Sequence, residues 1–332
     1  MRRRLLIVLA VVIFILVGVP FIVPLPSIGS DPAQFADADG RFITVNGLET
    51  YIREAGNPQG EPILLLHGWA ASTFSWQATI PALADAGYRV IAFDRPPYGL
   101  SQKTGETLPL SPARQAAFTA ALMDALDLER ATLVGHSMGG SVIGYFAHEM
   151  PERVDRLVFV AGALRAAEAQ SDQGRSVGIP PLLRSLLMLH PVDWWARLGI
   201  RAFIRPDSFE SLQRTTYYDP AFLTPERAEG YARALQVENW DQALIPVVTR
   251  AFGEDPPLTQ EQLRAITIPS LIVWGENDTW VPLSVGAALH DLLPNDALIT
   301  YPQVGHLPME EAAAAFNRDV LQFLAETPLT DL

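Results

Sequence analysis

The chain of 332 residues contains no cysteine. Disulfide cross-links, thiolate nucleophiles and cysteine-ligated metal centres are therefore excluded. The compartment stays open, because a chain without thiols has nothing to mispair in an oxidising space. Charge is scarce as well: Asp, Glu, Lys and Arg make up 18% of the residues, against the usual quarter. What charge there is leans acidic, with a formal net charge of −13. Sequence-independent binding to nucleic acid needs a basic surface that releases phosphate counterions, so nucleic acid is not an expected partner. Acidity of this kind serves solubility. Hydrophobic residues are 49% of the chain, ample for one large α/β domain with an insertion.

Part of the charge deficit is local. After Met1-Arg2-Arg3-Arg4, residues 5–23 carry no charged or strongly polar side chain. At ~1.5 Å of rise per residue the run is about 28 Å long, enough to cross a bilayer core. The three arginines favour a cytoplasmic N-terminus, with the globular part outside. A cleaved signal peptide has a shorter apolar region and a better site than Ser27-Ile28-Gly29, so residues 1–23 are read as an uncleaved transmembrane signal-anchor. Secretion after cleavage is the alternative. The lipid bilayer, met through residues 5–23, is thus an expected partner. Residues 24–40, with Pro24, Pro26, Gly29 and Pro32, read as a linker.

Beyond it, short β-rich runs alternate with Ala/Leu-rich helical stretches. Phe42 to Val45 and Thr50 to Arg53 flank Asn46-Gly47, a hairpin signal. Ile63 to Leu66, Arg89 to Phe93, Thr132 to Val134, Leu157 to Val160, Leu271 to Trp274 and Leu298 to Tyr301 read as buried parallel strands. The pattern predicts an α/β fold with a mostly parallel, eight-stranded sheet and helices on both faces. The rhythm breaks between Leu164 and Ile266, where Trp194, Trp195, Phe203, Phe209, Tyr217, Tyr218, Tyr231 and Trp240 fall among short helical stretches. We read 41–164 and 266–327 as the core and 165–265 as an inserted helical cap. Its aromatics either pack the cap onto the core or line an apolar tunnel, to which Leu182-Leu183 and Leu186-Leu187-Met188-Leu189 would add.

Gly135-His136-Ser137-Met138-Gly139 follows an apolar strand and opens a helix. In that context G-x-S-x-G is a nucleophile elbow: Ser137 sits on a sharp, strained turn, and Gly135 and Gly139 avoid the collisions that Cβ atoms would bring. Serine needs a base to take its proton. Of six histidines, His136 is the neighbour of Ser137 with its ring expected to point away. His148 and His290 lie in surface helical stretches, His190 lies in the cap, and His67 lies in the first βα loop. His306 follows the last strand, at the sheet edge where Ser137 emerges, and is the chosen base. Asp278, directly after the strand Leu271 to Trp274, would orient it, with Glu276 a local competitor and Asp124 a remote one. Two backbone N–H groups would hold an oxyanion: Met138, after the nucleophile, and Trp69, in His67-Gly68-Trp69-Ala70.

With these residues in hand, the chain resembles the α/β-hydrolase superfamily, in the branch with a helical cap after the sixth strand. The likeness runs from Arg41 to Leu324 and rests on His67-Gly68-Trp69, Asp94 to Ser101, Gly135 to Gly140, Gly275 to Pro282 and Gly305-His306. Pro97 stands where the family usually has glycine. A serine nucleophile disfavours the epoxide-hydrolase and haloalkane-dehalogenase branches, which use aspartate. The resemblance implies acyl transfer on Ser137, Asp278 and His306, with neither a metal nor an organic cofactor. The expected activity is that of a membrane-anchored serine hydrolase cleaving carboxylic esters of small apolar acyl substrates. A C–C bond hydrolase of vinylogous diketones, an acyltransferase or cofactor-free haloperoxidase on the same triad, and a binding protein with a vestigial site are the alternatives.

Overall fold

Eight runs rich in Val, Ile, Leu and Phe pair into one sheet, each at a position expected from the sequence. In the computed structural model the residues described are 2–105, 107–162, 164, 181–187, 189–250, 255–327 and 329. Strands β1 (Gly40–Val45) and β2 (Leu48–Gly56) form an antiparallel hairpin. Asn46 and Gly47 turn it with φ of 48° and 78°, the double positive φ that makes Asn-Gly the preferred tight turn. Then follow β3 (Pro62–Leu66), β4 (Arg89–Phe93), β5 (Ala131–His136), β6 (Val154–Val160), β7 (Ser270–Gly275) and β8 (Asp296–Tyr301). The spatial order is β1-β2-β4-β3-β5-β6-β7-β8. Pairings from β3 onward are parallel, and β2 meets β4 antiparallel.

Helices, in chain order, are α1 (Arg3–Ile22), α2 (Thr79–Asp85), α3 (Pro112–Ala125) and α4 (Met138–Glu149). Between β6 and β7 come α5 (Pro181–Leu187), α6 (His190–Phe203), α7 (Pro206–Arg214), α8 (Pro225–Ala232), α9 (Trp240–Arg250) and α10 (Gln260–Arg264). The chain closes with α11 (Leu283–His290), α12 (Pro308–Glu311) and α13 (Ala313–Glu326). Side chains alternate across the sheet, as the pleat requires. Leu64 and Leu66 join α3, α4 and α11 through Phe118, Ile143, Phe146 and Leu289 on one face. Ile63 and Leu65 join α2 and α13 through Ile80, Leu83, Phe316 and Val320 on the other.

The aromatics between β6 and β7 divide. Tyr217 and Tyr231 are buried and pack with Phe209 and Phe222 onto the second face, whereas Phe203 is 81% exposed. Leu182, Leu183, Leu186 and Leu189 are also exposed. Residues 165–180, Met188 and 251–254, which belong to the stretch read as the cap, lie outside the described residues.

Beyond Arg3 and Arg4, helix α1 is apolar, and it is almost wholly exposed. Pro20 brings no N–H to the Leu16 carbonyl one turn back. Trp195 Nε1 of α6 donates to that carbonyl instead, at 3.0 Å. From the same helix His190 Nε2 donates to Pro20 O (3.0 Å) and Trp194 Nε1 to Val23 O (2.8 Å). The last carbonyls of a helix have no partner within it, so α6 supplies them. Helix α6 is fixed in turn by Arg197 and Arg201, whose Nε atoms lie 2.8 and 3.0 Å from the fully buried Asp241 carboxylate on α9. The segment 24–40 lies against the body rather than hanging from it: Ser30 N donates to Gln236 O, Glu238 N to Ser30 O, and Asn239 N to Ile28 O.

Candidate active site

Parallel strands deliver their C-terminal ends to one rim, and the loops there hold the chemistry of open α/β sheets. Ser137 follows β5, Asp278 follows β7 and His306 follows β8. Ser137 sits between β5 and α4 with φ 51° and ψ −120°, a conformation L-residues rarely hold. Its N–H donates to Val160 O at 2.9 Å. The turn leaves no room for side chains beside it. A Cβ on Gly135 would lie 2.4 Å from Gly139 O, and one on Gly139 2.4 Å from Leu66 O. Helix α4 begins at Met138, so the Met138 N–H has no acceptor within the helix and stands in the positive field of its first turn.

His306 Nδ1 lies 2.7 Å from Asp278 Oδ2, and both residues are buried. Asp278 Oδ1 accepts from the N–H groups of Trp280 (2.8 Å) and Val281 (2.9 Å). The carboxylate is thus oriented by its own loop, and it engages Nδ1, which leaves Nε2 as the nitrogen able to receive a proton. The Trp280 ring stacks on His306, centroids 5.8 Å apart. Of the other acids considered, Glu276 is exposed and accepts from Thr300, and Asp124 pairs with Arg153 at 2.7 Å. His290 pairs with Asp296, and His148 contacts Gln262.

His136 carries more than its neighbourhood in sequence suggests. Its Nε2 donates to the His306 carbonyl at 2.8 Å, and the two rings lie 4.8 Å apart. Burial and the nearby His306 hold His136 well below the usual imidazole range, so it acts as a neutral strut between the serine turn and the His306 loop. That loop is also gripped by the segment between α7 and α8, partly through Glu311 of α12. His306 N donates to Thr216 O (2.7 Å), Gly305 N to Glu311 Oε1 (2.8 Å) and Tyr218 N to Glu311 Oε2 (2.8 Å). Trp280 Nε1 donates to Thr215 Oγ1 at 3.0 Å. Glu310, fully buried, accepts from the hydroxyls of Tyr217 (2.8 Å) and Tyr231. Burial pushes its carboxyl up to about 7.

On the other side, the loop 67–70 after β3 approaches the serine: a Cβ on Gly68 would stand 3.1 Å from Ser137 Cβ and 2.9 Å from His136 Nδ1. Trp69 is half-buried and packs against the core, and Ala70 takes φ 53°. Beneath lies Asp94, whose carboxylate accepts from Thr73 N and Leu100 N, each at 2.6 Å. Among the described residues no group of three or more His, Asp or Glu side chains stands ready to hold a metal ion.

A strained serine at a strand-to-helix turn on a mostly parallel sheet is the architecture of the α/β hydrolases. A family model described as alpha/beta hydrolase fold matches residues 61–313, and the chain belongs to that family. It is 31% identical over 304 residues to the 2-hydroxy-6-oxononadienedioate/2-hydroxy-6-oxononatrienedioate hydrolase of Burkholderia vietnamiensis, covering 86% of this chain and 96% of that one. The structure of the meta-cleavage product hydrolase CumD of Pseudomonas fluorescens IP01 superposes with a TM-score of 0.67 at 25% identity, over 87% of this chain and 98% of that one. A membrane phospholipase A, described as a bacterial virulence factor, superposes with a TM-score of 0.66 at 23% identity, over 98% of this chain and 99% of that one. That last likeness is one of fold, and its coverage takes in α1.

Proposed function

We propose that the protein is a membrane-anchored serine hydrolase that cleaves carboxylic esters of apolar acyl substrates through an acyl-enzyme. The observation that carries this reading is the 2.7 Å contact of His306 Nδ1 with Asp278 at the rim where the strained Ser137 emerges. In the proposed cycle Ser137 attacks the carbonyl carbon while His306 Nε2 takes its proton. The N–H groups of Met138 and Trp69 hold the oxyanion. His306 returns the proton to the leaving alkoxide, and water repeats the sequence to free the acid and Ser137. Helix α1 supports the membrane part of the reading: it is 20 residues long and contains an 18-residue stretch of mean hydropathy 3.3, long and apolar enough for a bilayer. Its bonds to α6 would bring the exposed leucines of 182–189 to the lipid surface, which favours lipid-derived esters.

A fluorophosphonate probe on the full chain in detergent tests the core of the reading. Wild type is expected to be labelled and Ser137→Ala not; equal labelling of both would sink it. Turnover of p-nitrophenyl esters that rises with acyl length tests the apolar preference, and indifference to length would count against it. Cleavage of C–C bonds in vinylogous diketones is the second reading, favoured by the 31% identity to the Burkholderia vietnamiensis hydrolase. Turnover of a 2-hydroxy-6-oxo-dienoate exceeding that of every ester would select it.

A further inference from the structure

Arg95 has no solvent exposure and, among the described residues, makes no ion pair with a carboxylate. Burying an unpaired cation is costly, so a fold that keeps one there has a use for it. Burial lowers the Arg95 guanidinium to about 10, which leaves it charged at neutral pH. Its Nη2 donates to two carbonyls of the loop facing Ser137, His67 O at 2.6 Å and Gly68 O at 3.1 Å. The Arg95 N–H donates to His67 Nε2 at 3.0 Å. Nδ1 therefore holds the His67 proton and donates it to Gly68 O at 2.7 Å. Burial and the Arg95 charge keep that imidazole neutral. Gly68 O is consequently held by two donors, Arg95 Nη2 and His67 Nδ1.

The Gly68–Trp69 peptide is trans, the cis bond among the described residues being Pro96–Pro97. In a trans peptide the N–H points opposite to the C=O. Pinning Gly68 O toward Arg95 thus fixes the Trp69 N–H pointing away from it. The fixed charge behind the carbonyl also polarises the peptide and strengthens the N–H as a donor. We infer that Arg95 is the positioning residue of the oxyanion hole, a buried cation that aims and polarises the Gly68–Trp69 peptide through a carbonyl clamp shared with His67. The inference rests on the acyl-transfer reading above.

Arg95→Met keeps the length of the side chain and removes the charge, and Arg95→Lys restores the charge. Both are made in the full chain in detergent and normalised to active sites titrated with the fluorophosphonate. Removing one oxyanion donor outright costs about 10²–10³ in kcat, so losing only its alignment is expected to lower kcat on p-nitrophenyl butyrate by roughly 10–100-fold. KM and the pH midpoint of activity should stay put, because Ser137, His306 and Asp278 are untouched. Affinity for a trifluoromethyl ketone, which forms an oxyanion, should fall in step with kcat/KM, and Arg95→Lys should recover part of both. A kcat within twofold of wild type in Arg95→Met overturns the inference. So does a loss that spares ketone affinity, or one that Arg95→Lys does not relieve. If Arg95→Met does not fold, Arg95→Gln, which also removes the charge, decides: a ketone affinity equal to wild type overturns the inference, and a reduced one supports it. Failure of the probe to label wild type overturns the acyl-transfer reading, and the inference with it; a labelled wild type beside an indifferent Arg95→Met overturns the inference alone.

Discussion

Replacing Glu310 by Gln probes the joint between the inserted helices and the His306 loop. The carboxyl faces the hydroxyls of Tyr217 and Tyr231, Arg227 at 3.9 Å and the neighbouring Glu311, with Ser75 on the far side of Tyr231. Burial dominates and raises it from 4.5 to about 7. The folded state therefore keeps a proton that the unfolded chain has already lost. The stability this contributes is fully present below pH 4.5, falls as pH rises toward 7, and is flat above. At ~1.4 kcal/mol per pH unit, the fall amounts to roughly 3 kcal/mol across that window. Gln is neutral at every pH, accepts from one tyrosine hydroxyl and donates to the other. Urea unfolding of both proteins in detergent, followed by tryptophan fluorescence from pH 4.5 to 8, gives the difference directly. The variant should gain on wild type by roughly 3 kcal/mol between pH 4.5 and 7, and by nothing further above it. Parallel stability curves through that window would refute the burial argument.

Asp278→Asn should leave the fold intact and lower kcat by about 10³–10⁴, since the amide cannot stabilise the imidazolium in the same tautomer; steady-state kinetics on titrated enzyme measure it. Gly135→Ala places a Cβ 2.4 Å from Gly139 O and should displace the serine turn, at a cost of about 1–3 kcal/mol and with loss of fluorophosphonate labelling in a chain that still unfolds cooperatively. Trp195→Phe removes the donor to Leu16 O and should cost about 1 kcal/mol, read by urea unfolding in detergent.

What the sequence made legible is local. Each strand is a short run of β-branched and leucine residues, and the strained serine announces itself because two glycines and an apolar run surround it. Asp278 and His306 could be placed because the end of a strand fixes where the next residues emerge. The supports were not legible. His136 bonds a carbonyl 170 residues away, Glu310 collects hydroxyls from positions 217 and 231, and Arg95 reaches back to positions 67 and 68. Such pairs leave no periodicity or spacing to read. Pro20 was a partial exception: a proline within a long apolar run signals a carbonyl in need of a donor, though nothing along the chain names Trp195 as the one that answers.

The bonds from His190, Trp194 and Trp195 to the carbonyls of Leu16, Pro20 and Val23 have a practical consequence. A tether can be cut without the body noticing, whereas a spar bolted at three points cannot. Deleting the first two dozen residues to obtain a freely soluble form would strip two indoles and an imidazole of their acceptors and bare the flank they hold. The shortened protein is expected to be softer and prone to self-association, so the full chain is the form in which its chemistry should be measured.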